Sequence, residues 1–496
     1  MVSIVDFQLT APIMLLTFGA LILLLNEVSF KSNFLRSLIT IGSLVLSIAG
    51  LIKWNGLYTP DATAFSGFIY GDRFSWLSSL IVVSGALVAF LLGFSSLVQE
   101  KVSSISEYYS LFLMSIVGAL VLITARELIL LFIGLEIMSI ALYTMCSFNL
   151  WSSRSSEAGL KYFLLGSMSS AIFLYGIALL YGLSASFMIP DVATWALTDG
   201  AQSGLLFWIA FGFLLVGFAF KIGLVPFHFW VPDVYDGAPT IVTAFMACVI
   251  KAAAVFVAMR GLWVMFGEPN LLLHWSQLLW VLAVLTMTFG NLIALRQRSV
   301  KRMLAYSSIA HAGYMTVAFL VPTQGGGAAI IFYVVAYMFM TFGAFGIVMA
   351  VSDSAPAGSE ADSVDRFNGL GLKNPTLGIL MTIFMFSLAG LPPGLAGFLG
   401  KFYIFNAALK GHYTGLVIIA VINSAISCYY YLRVLVAMYF SEEKEPGQVF
   451  VKRPVLAVIC VCALVSVFLG MFPSRLHSLG VDAVSGLHAP VGLIVK

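Results

Sequence analysis

The chain is 496 residues long, 61% hydrophobic and only 9% charged, far from the roughly half apolar and quarter charged balance of soluble domains. A soluble fold is excluded. The formal net charge of +3 is small for this length and gathers into no basic patch, so binding to DNA or RNA is not indicated.

Hydrophobic runs of the length needed to cross a hydrocarbon core as helix, about 18 to 25 residues, recur from end to end. They predict fourteen segments, near 9–25, 35–53, 74–96, 109–125, 127–147, 158–183, 205–230, 240–265, 276–294, 302–321, 327–350, 376–408, 414–438 and 454–472. The expectation is an all-α polytopic membrane protein in contact with the lipid bilayer. The first run has no basic stretch before it and carries Asp6, without a small-residue cleavage site, so it reads as a retained span beginning at Met1.

With Lys161, Lys221, Lys251, Lys401 and Arg433 set aside as lying deep within segments, thirteen lysines and arginines fall on the side of the loops after odd-numbered segments and seven on the opposite side. The excess places the odd loops in the cytoplasm and both termini outside. The longest hydrophilic stretch, near 351–375, reads as a solvated, mobile connector and leaves no room for a soluble domain, so residues 1–496 form one membrane domain. Cys146, Cys248, Cys428, Cys460 and Cys462 lie in hydrophobic segments without metal-site spacing and read as packing residues.

Two segments are interrupted. The seventh carries Lys221, Gly223, Pro226 and His228; the twelfth carries Gly390, Pro392, Pro393, Gly394, Gly397 and Lys401. Proline opens the helix ladder, which hydrocarbon tolerates only where protein or water satisfies the freed groups, so both breaks mark internal polar paths. Their spacing of five segments suggests two inverted five-helix repeats, residues 109–265 (helices 4–8) and 276–438 (helices 9–13), preceded by helices 1–3 in 1–108 and followed by helix 14 in 454–472.

Four ionisable residues fall near mid-depth: Glu136, Lys221, Lys251 and Lys401. A charge at the bilayer centre costs from about 3 to over 10 kcal/mol, so structure alone does not explain so many. Three lysines against one glutamate cannot all be neutralised by pairing. Burial lowers a lysine's affinity for its proton and a nearby carboxylate raises it, which makes such groups usable as carriers and switches. His228 and His311 are second candidates because imidazole titrates near neutrality. Lys161 is balanced between transport and snorkelling to the interface, and Arg433 reads as snorkelling. The chain has no dinucleotide fingerprint, phosphate-binding loop or cysteine cluster, so any redox or ATP engine lies elsewhere.

The runs Gly134, Leu135, Glu136; Lys221, Gly223, Pro226, Phe227, His228, Trp230, Pro232 with Asp236, Gly237, Ala238, Pro239; Lys251; 299–314 with His311; and Gly390, Leu391, Pro392, Pro393, Gly397, Phe398, Lys401 carry a resemblance over most of the chain. It resembles the antiporter-like membrane subunits of respiratory complex I and of the related multisubunit cation/proton antiporters. Within them, lysine at 401 and a tail of about 24 residues after the last segment match the subunit that lacks the long lateral helix of its largest sister and the usual glutamate of its medium-sized one.

The resemblance implies half-channels around broken helices 7 and 12. Glu136 would modulate Lys221, Lys251 would connect, and Lys401 would serve the second half-channel. Quinone reduction elsewhere would drive proton movement through a bacterial inner membrane. It further implies that NADH, FMN, iron-sulfur clusters and quinone belong to partner subunits, with neighbouring antiporter-like and small membrane subunits beside this chain and the peripheral redox arm acting indirectly. A sodium/proton antiporter subunit and a purely structural membrane spacer remain the alternatives.

Overall fold

The computed structural model describes residues 3–29, 32–99, 105–149, 151–198, 200, 204–355, 362–392, 395–442 and 449–487. The fold is all-α and polytopic. Helices α1 (Ile4–Ser29), α2 (Asn33–Lys53), α3 (Arg73–Gln99), α4 (Ile105–Thr124), α5 (Leu128–Cys146) and α6 (Ser153–Ser184) form the first part. A short hairpin of β1 (Thr63–Ala64) and β2 (Ile69–Tyr70) links α2 to α3, and the short α7 (Ile189–Thr198) follows α6.

Helix α8 (Leu205–Ile222) ends at Gly223, whose φ of +84° is the left-handed conformation that glycine adopts at little cost. There the amides of Gly223 and Leu224 fold back onto the carbonyl of Ala219. After a turn the chain re-enters helix at α9 (Trp230–Gly237). The twelfth predicted segment breaks the same way. Helix α16 (Pro375–Ala389) ends at Gly390, φ +74°, with the amides of Gly390 and Leu391 on the carbonyl of Phe386, and the next helix is α17 (Ala396–Lys410). Pro393 and Gly394 lie outside the described residues.

Between the breaks, α10 (Thr240–Phe245), a π-helical turn (Met246–Ile250) and α11 (Lys251–Phe266) form one span that is buried throughout. The π turn sets Lys251 at the start of α11, and such wide turns recur at functional sites. Helices α12 (Pro269–Ala294), α13 (Val300–Phe319) and α14 (Gly327–Asp353) follow, then α15 (Leu370–Lys373), α16, α17, α18 (Thr414–Phe440), α19 (Arg453–Met471) and α20 (Ser474–Val484). Span α10–α11 and α14 are the most enclosed, whereas α1, α2, α6, α18 and α19 turn many large apolar side chains outward, as expected for a surface facing lipid or other subunits.

Among the described residues twelve helices are long and apolar enough to cross a membrane. The two expected segments outside that count differ for physical reasons. Segment 302–321 is α13, a twenty-residue helix whose serines, His311 and tyrosines lower its hydropathy. Segment 376–408 is split by the Gly390 break into α16 and α17, each of 15 residues.

The connector near 351–375 is only partly the solvated loop expected. Residues 356–361 lie outside the described residues, but Asp362 accepts from the Ser299 hydroxyl at 2.6 Å and its carbonyl from the Val300 amide at 2.8 Å, tying this segment to the start of α13.

Candidate functional site

Lys221 occupies the last turn of α8 and is 6% exposed. Its ammonium donates to Ser139 Oγ on α5 at 2.7 Å and lies 5.5 to 5.7 Å from the ring centroids of Tyr162, Tyr143 and Phe220. The aromatic wall is braced by Tyr162 stacked on Trp230 at 4.5 Å, whose indole donates to the Phe220 carbonyl at 3.0 Å. Glu136 sits one turn before Ser139 on α5, half-buried, and makes no ion pair with Lys221 within 4 Å. Its Oε1 is buried without a hydrogen-bond partner, on a helix whose Ile133 and Ile140 are exposed. On α5, Ser139 is therefore the hydrogen-bond partner of the lysine, and Tyr143 is a ring beside it.

Lys251, 3% exposed, donates to both the carbonyl and the hydroxyl of Ser308 at 2.8 Å. Ser308 begins a polar stripe on α13, with His311 and Tyr314 each three residues further on. His311 is buried and held at both ring nitrogens, Nδ1 2.6 Å from Tyr333 Oη and Nε2 3.0 Å from Tyr431 Oη. Tyr431 in turn shares a short hydrogen bond with Ser307.

Lys401, also 3% exposed, donates to the carbonyls of Ala389 at 2.8 Å and Leu388 at 3.3 Å and to Ser424 Oγ at 2.9 Å, with the Tyr314 ring 4.9 Å from its nitrogen. The carbonyls belong to the broken end of α16, where unpaired acceptors and the helix dipole favour a cation. Gly390 makes this possible twice over, since its backbone is left-handed and a Cβ there would lie 2.8 Å from Lys401 Cδ.

The structure thus sets Lys251, at Ser308, and Lys401, at Tyr314, against the helix α13 that carries His311, and places Lys221 at its own break, with Glu136 one turn before its partner Ser139. Two candidates lie apart. His228 is buried in the turn after Gly223, with no hydrogen-bond partner at Nδ1. Lys161 lies in an open cleft of about 200 Å³ lined by charged side chains, paired with Glu157 at 2.7 Å and Asp233 at 2.9 Å; Arg302 bridges Asp233 and Asp236. Arg433 donates to the carbonyls of Leu295 and Gln297, closing the end of α12.

Sequence reasoning missed the buried ion pair of Arg260 with Asp72, in which two guanidinium nitrogens meet the two carboxylate oxygens at 2.8 and 2.9 Å while one also meets Ser75 Oγ. It fastens α11 to the start of α3. Burial alone would raise the Asp72 carboxyl, but the guanidinium and Ser75 outweigh it and hold the group below the ordinary carboxylate range. The signal in the sequence is an arginine twenty residues into a run whose other charged residue is Lys251, with no carboxylate in that run to pair with it. Among the described residues no three His, Cys, Asp or Glu side chains gather where they could hold a metal ion.

Fold and site together define a multi-pass helical membrane protein whose interior carries buried lysines. Residues 125–427 match the profile of the family described as NADH:quinone oxidoreductase/Mrp antiporter, transmembrane. The chain is 42% identical over 475 residues to NADH-quinone oxidoreductase subunit N of Trichlorobacter lovleyi, covering 95% of each chain, and 36% identical over 451 residues to that of Nitrosomonas europaea, covering 91% of each. A chain of respiratory complex I from Thermus thermophilus superimposes with a TM-score of 0.79 at 32% identity, over 94% of this chain and 98% of that one. A chain of the Mrp complex from Dietzia sp., at 18% identity, has the same fold with a TM-score of 0.82, over 97% of this chain and 98% of that one. The chain belongs to the NADH:quinone oxidoreductase/Mrp antiporter membrane family, within it to the subunits N of NADH-quinone oxidoreductase. It is a membrane subunit of that enzyme complex.

Proposed function

We propose that this subunit moves protons across the membrane through Lys221, Lys251 and Lys401, with Glu136 modulating Lys221 and His311 linking Lys251 to Lys401. The observation that carries the reading is that all three lysines are buried and held by hydroxyls, carbonyls and aromatic rings, with no carboxylate within 4 Å of any of them among the described residues. A permanently charged structural lysine would be expected to have an anionic partner, as Arg260 has in Asp72. Neutral partners stabilise an ammonium without fixing its charge, so each lysine can give up its proton and recover it.

The driving reaction is quinone reduction in other subunits, where NADH, FMN, the iron-sulfur clusters and quinone reside. Glu136, half-buried on the helix that carries the exposed Ile133 and Ile140, is the group a neighbouring membrane subunit would press on. His228, at the α8 break, and Lys161, in the charged cleft, belong to the access route to Lys221. The division at 1–108, 109–265, 276–438 and 454–472, the two inverted repeats, the bacterial inner membrane and termini on its outer side complete the reading.

The test is NADH-driven proton uptake in membrane vesicles carrying Lys221→Ala, with assembly of the complex checked on a native gel. Loss of pumping and of quinone reduction in an assembled complex supports the reading. Unchanged pumping overturns it. Sodium-coupled exchange that persists without NADH oxidation would favour an antiporter subunit.

A further inference from the structure

Beside Lys401 lies a second polar cluster to which proton carriage by the lysines assigns no part. Asn291 of α12, fully buried, donates from Nδ2 to Tyr314 Oη at 3.2 Å and to Asn423 Oδ1 at 3.3 Å, and accepts at Oδ1 from Tyr430 Oη at 2.9 Å. Asn423 of α18 passes the chain on to Thr288 Oγ1 at 3.3 Å and the Ile419 carbonyl at 3.0 Å. Both donor hydrogens and the acceptor of the Asn291 carboxamide are used. An amide at this depth is costly unless fully bonded, and here the bonds fix one ring. Tyr314 presents its face to the Lys401 ammonium while its hydroxyl is held from α12. The rings around Lys221 contrast with this, because Tyr143 lies at a similar distance from that ammonium and its hydroxyl has no partner.

We propose that Asn291 is a positioning residue for Lys401, clamping the face of Tyr314 against the ammonium and so setting how readily Lys401 releases its proton. The proposal rests on the reading of Lys401 as a proton carrier. The titratable groups facing Lys401 are His311 and Tyr314 from α13, Tyr333 from α14 and Cys428 from α18. Helix α16 contributes carbonyls and no ionisable side chain, and α19 carries Arg453, Cys460 and Cys462. None of these is a carboxylate, so the aromatic face adds to the Ala389 and Leu388 carbonyls and the Ser424 hydroxyl in favouring the ammonium.

The experiment compares Asn291→Leu, Tyr314→Phe, the double variant and Lys401→Ala in the assembled complex, measuring NADH-driven proton uptake in vesicles from mildly acid to alkaline pH. Weaker support of the ammonium makes Lys401 lose its proton at lower pH. The alkaline limb of the profile should therefore move down by about half to one pH unit in Asn291→Leu, the shift that loss of part of a desolvated cation–π contact gives. Tyr314→Phe keeps the ring and removes only the clamped hydroxyl; it should shift the limb in the same direction, and the double variant should shift no further than Asn291→Leu.

If Asn291→Leu fails to assemble, Tyr314→Phe decides the matter alone. An unmoved midpoint, or a loss uniform at every pH, overturns the clamp. If Lys401→Ala pumps like the wild type, proton carriage by Lys401 fails and the clamp with it, whereas a collapse in Lys401→Ala with unmoved midpoints in the other variants removes the clamp alone.

Discussion

The ammonium of Lys401 lies 2.8 Å from the carbonyl of Ala389, twelve residues earlier in the chain and on the other side of a helix break. The lysine thus caps the half-helix that the break exposes. Lys221 stands in a different relation to its own break, in the last turn of α8 with its nitrogen turned to a serine of α5. The two glycine breaks share their backbone geometry, yet they offer their lysines different partners, a helix terminus in one case and a side chain in the other.

That difference makes Ser139 a sensitive position. Ser139→Ala removes the hydrogen-bond partner of Lys221 and leaves a buried ammonium with aromatic faces only, a loss of about 1 to 3 kcal/mol. Proton uptake should fall several-fold in assembled complex, while Ser139→Thr, which keeps the hydroxyl, should retain most of it. Equal activity in Ser139→Ala and wild type would show that the contact carries no weight.

Gly390→Ala meets two obstacles at once, a left-handed backbone that costs an alanine about 1 to 2 kcal/mol and a Cβ that would displace the Lys401 stem. Gly223→Ala meets the same backbone cost, but its Cβ would face Val231 Cγ2 at 3.1 Å and leave the lysine free. Both variants should melt at lower temperature in detergent. Only Gly390→Ala should also lose pumping beyond its loss of stability, and a matched loss in the two would count against the capping role of Ala389.

Tyr431 connects His311 to Ser307. Tyr431→Phe removes both bonds and leaves the imidazole held only by Tyr333, so proton transfer between Lys251 and Lys401 should slow while the complex still assembles. Pumping stoichiometry against quinone turnover, measured in vesicles, reads this directly. The expected result is fewer protons per quinone reduced, and an unchanged ratio would remove Tyr431 from the path.

Arg260 and Asp72 should behave as a structural pair. Asp72→Asn strands a buried guanidinium and should cost about 3 to 5 kcal/mol, whereas Asp72→Asn combined with Arg260→Met should recover most of it. The pH dependence has a defined sign. Asp72 is held below its ordinary value in the folded protein, so its contribution to stability is present above the unfolded value of about 3.9 and disappears as pH falls through the folded value. Thermal melts in detergent at acid pH should therefore show a drop in the wild type that is smaller in the double variant.

Lys161 has a side chain 41% exposed and carboxylates on two sides. Surface pairs of this kind are worth about 0 to 1 kcal/mol, so Lys161→Ala should leave assembly and stability near wild type. Any effect on pumping should appear as a slower rate at limiting proton concentration, consistent with a place at the entry, and not as the collapse expected for Lys221→Ala.

Much of this protein was legible along the chain. The length of the apolar runs fixed a helical membrane protein, because the bilayer leaves a backbone no other way to satisfy its polar groups in segments of this length. The glycines and prolines at 223, 226, 390 and 392 marked the interruptions, and Glu136, Lys221, Lys251 and Lys401 stood out because each is an ionisable group at depth in an apolar run. The same hydropathy gave twenty-residue α13 no special standing, although its Ser308 and Tyr314 are the partners of two lysines.

What tertiary structure decided is which group each of these residues meets. Lys251 finds Ser308 across 57 positions of sequence, Asn291 finds Asn423 across 132, and Arg260 finds Asp72 across 188. Hydropathy is a sum along one helix and records how much polarity a segment carries. The state of a buried charge depends on the face another helix turns toward it, and that is settled only when helices distant in sequence pack together.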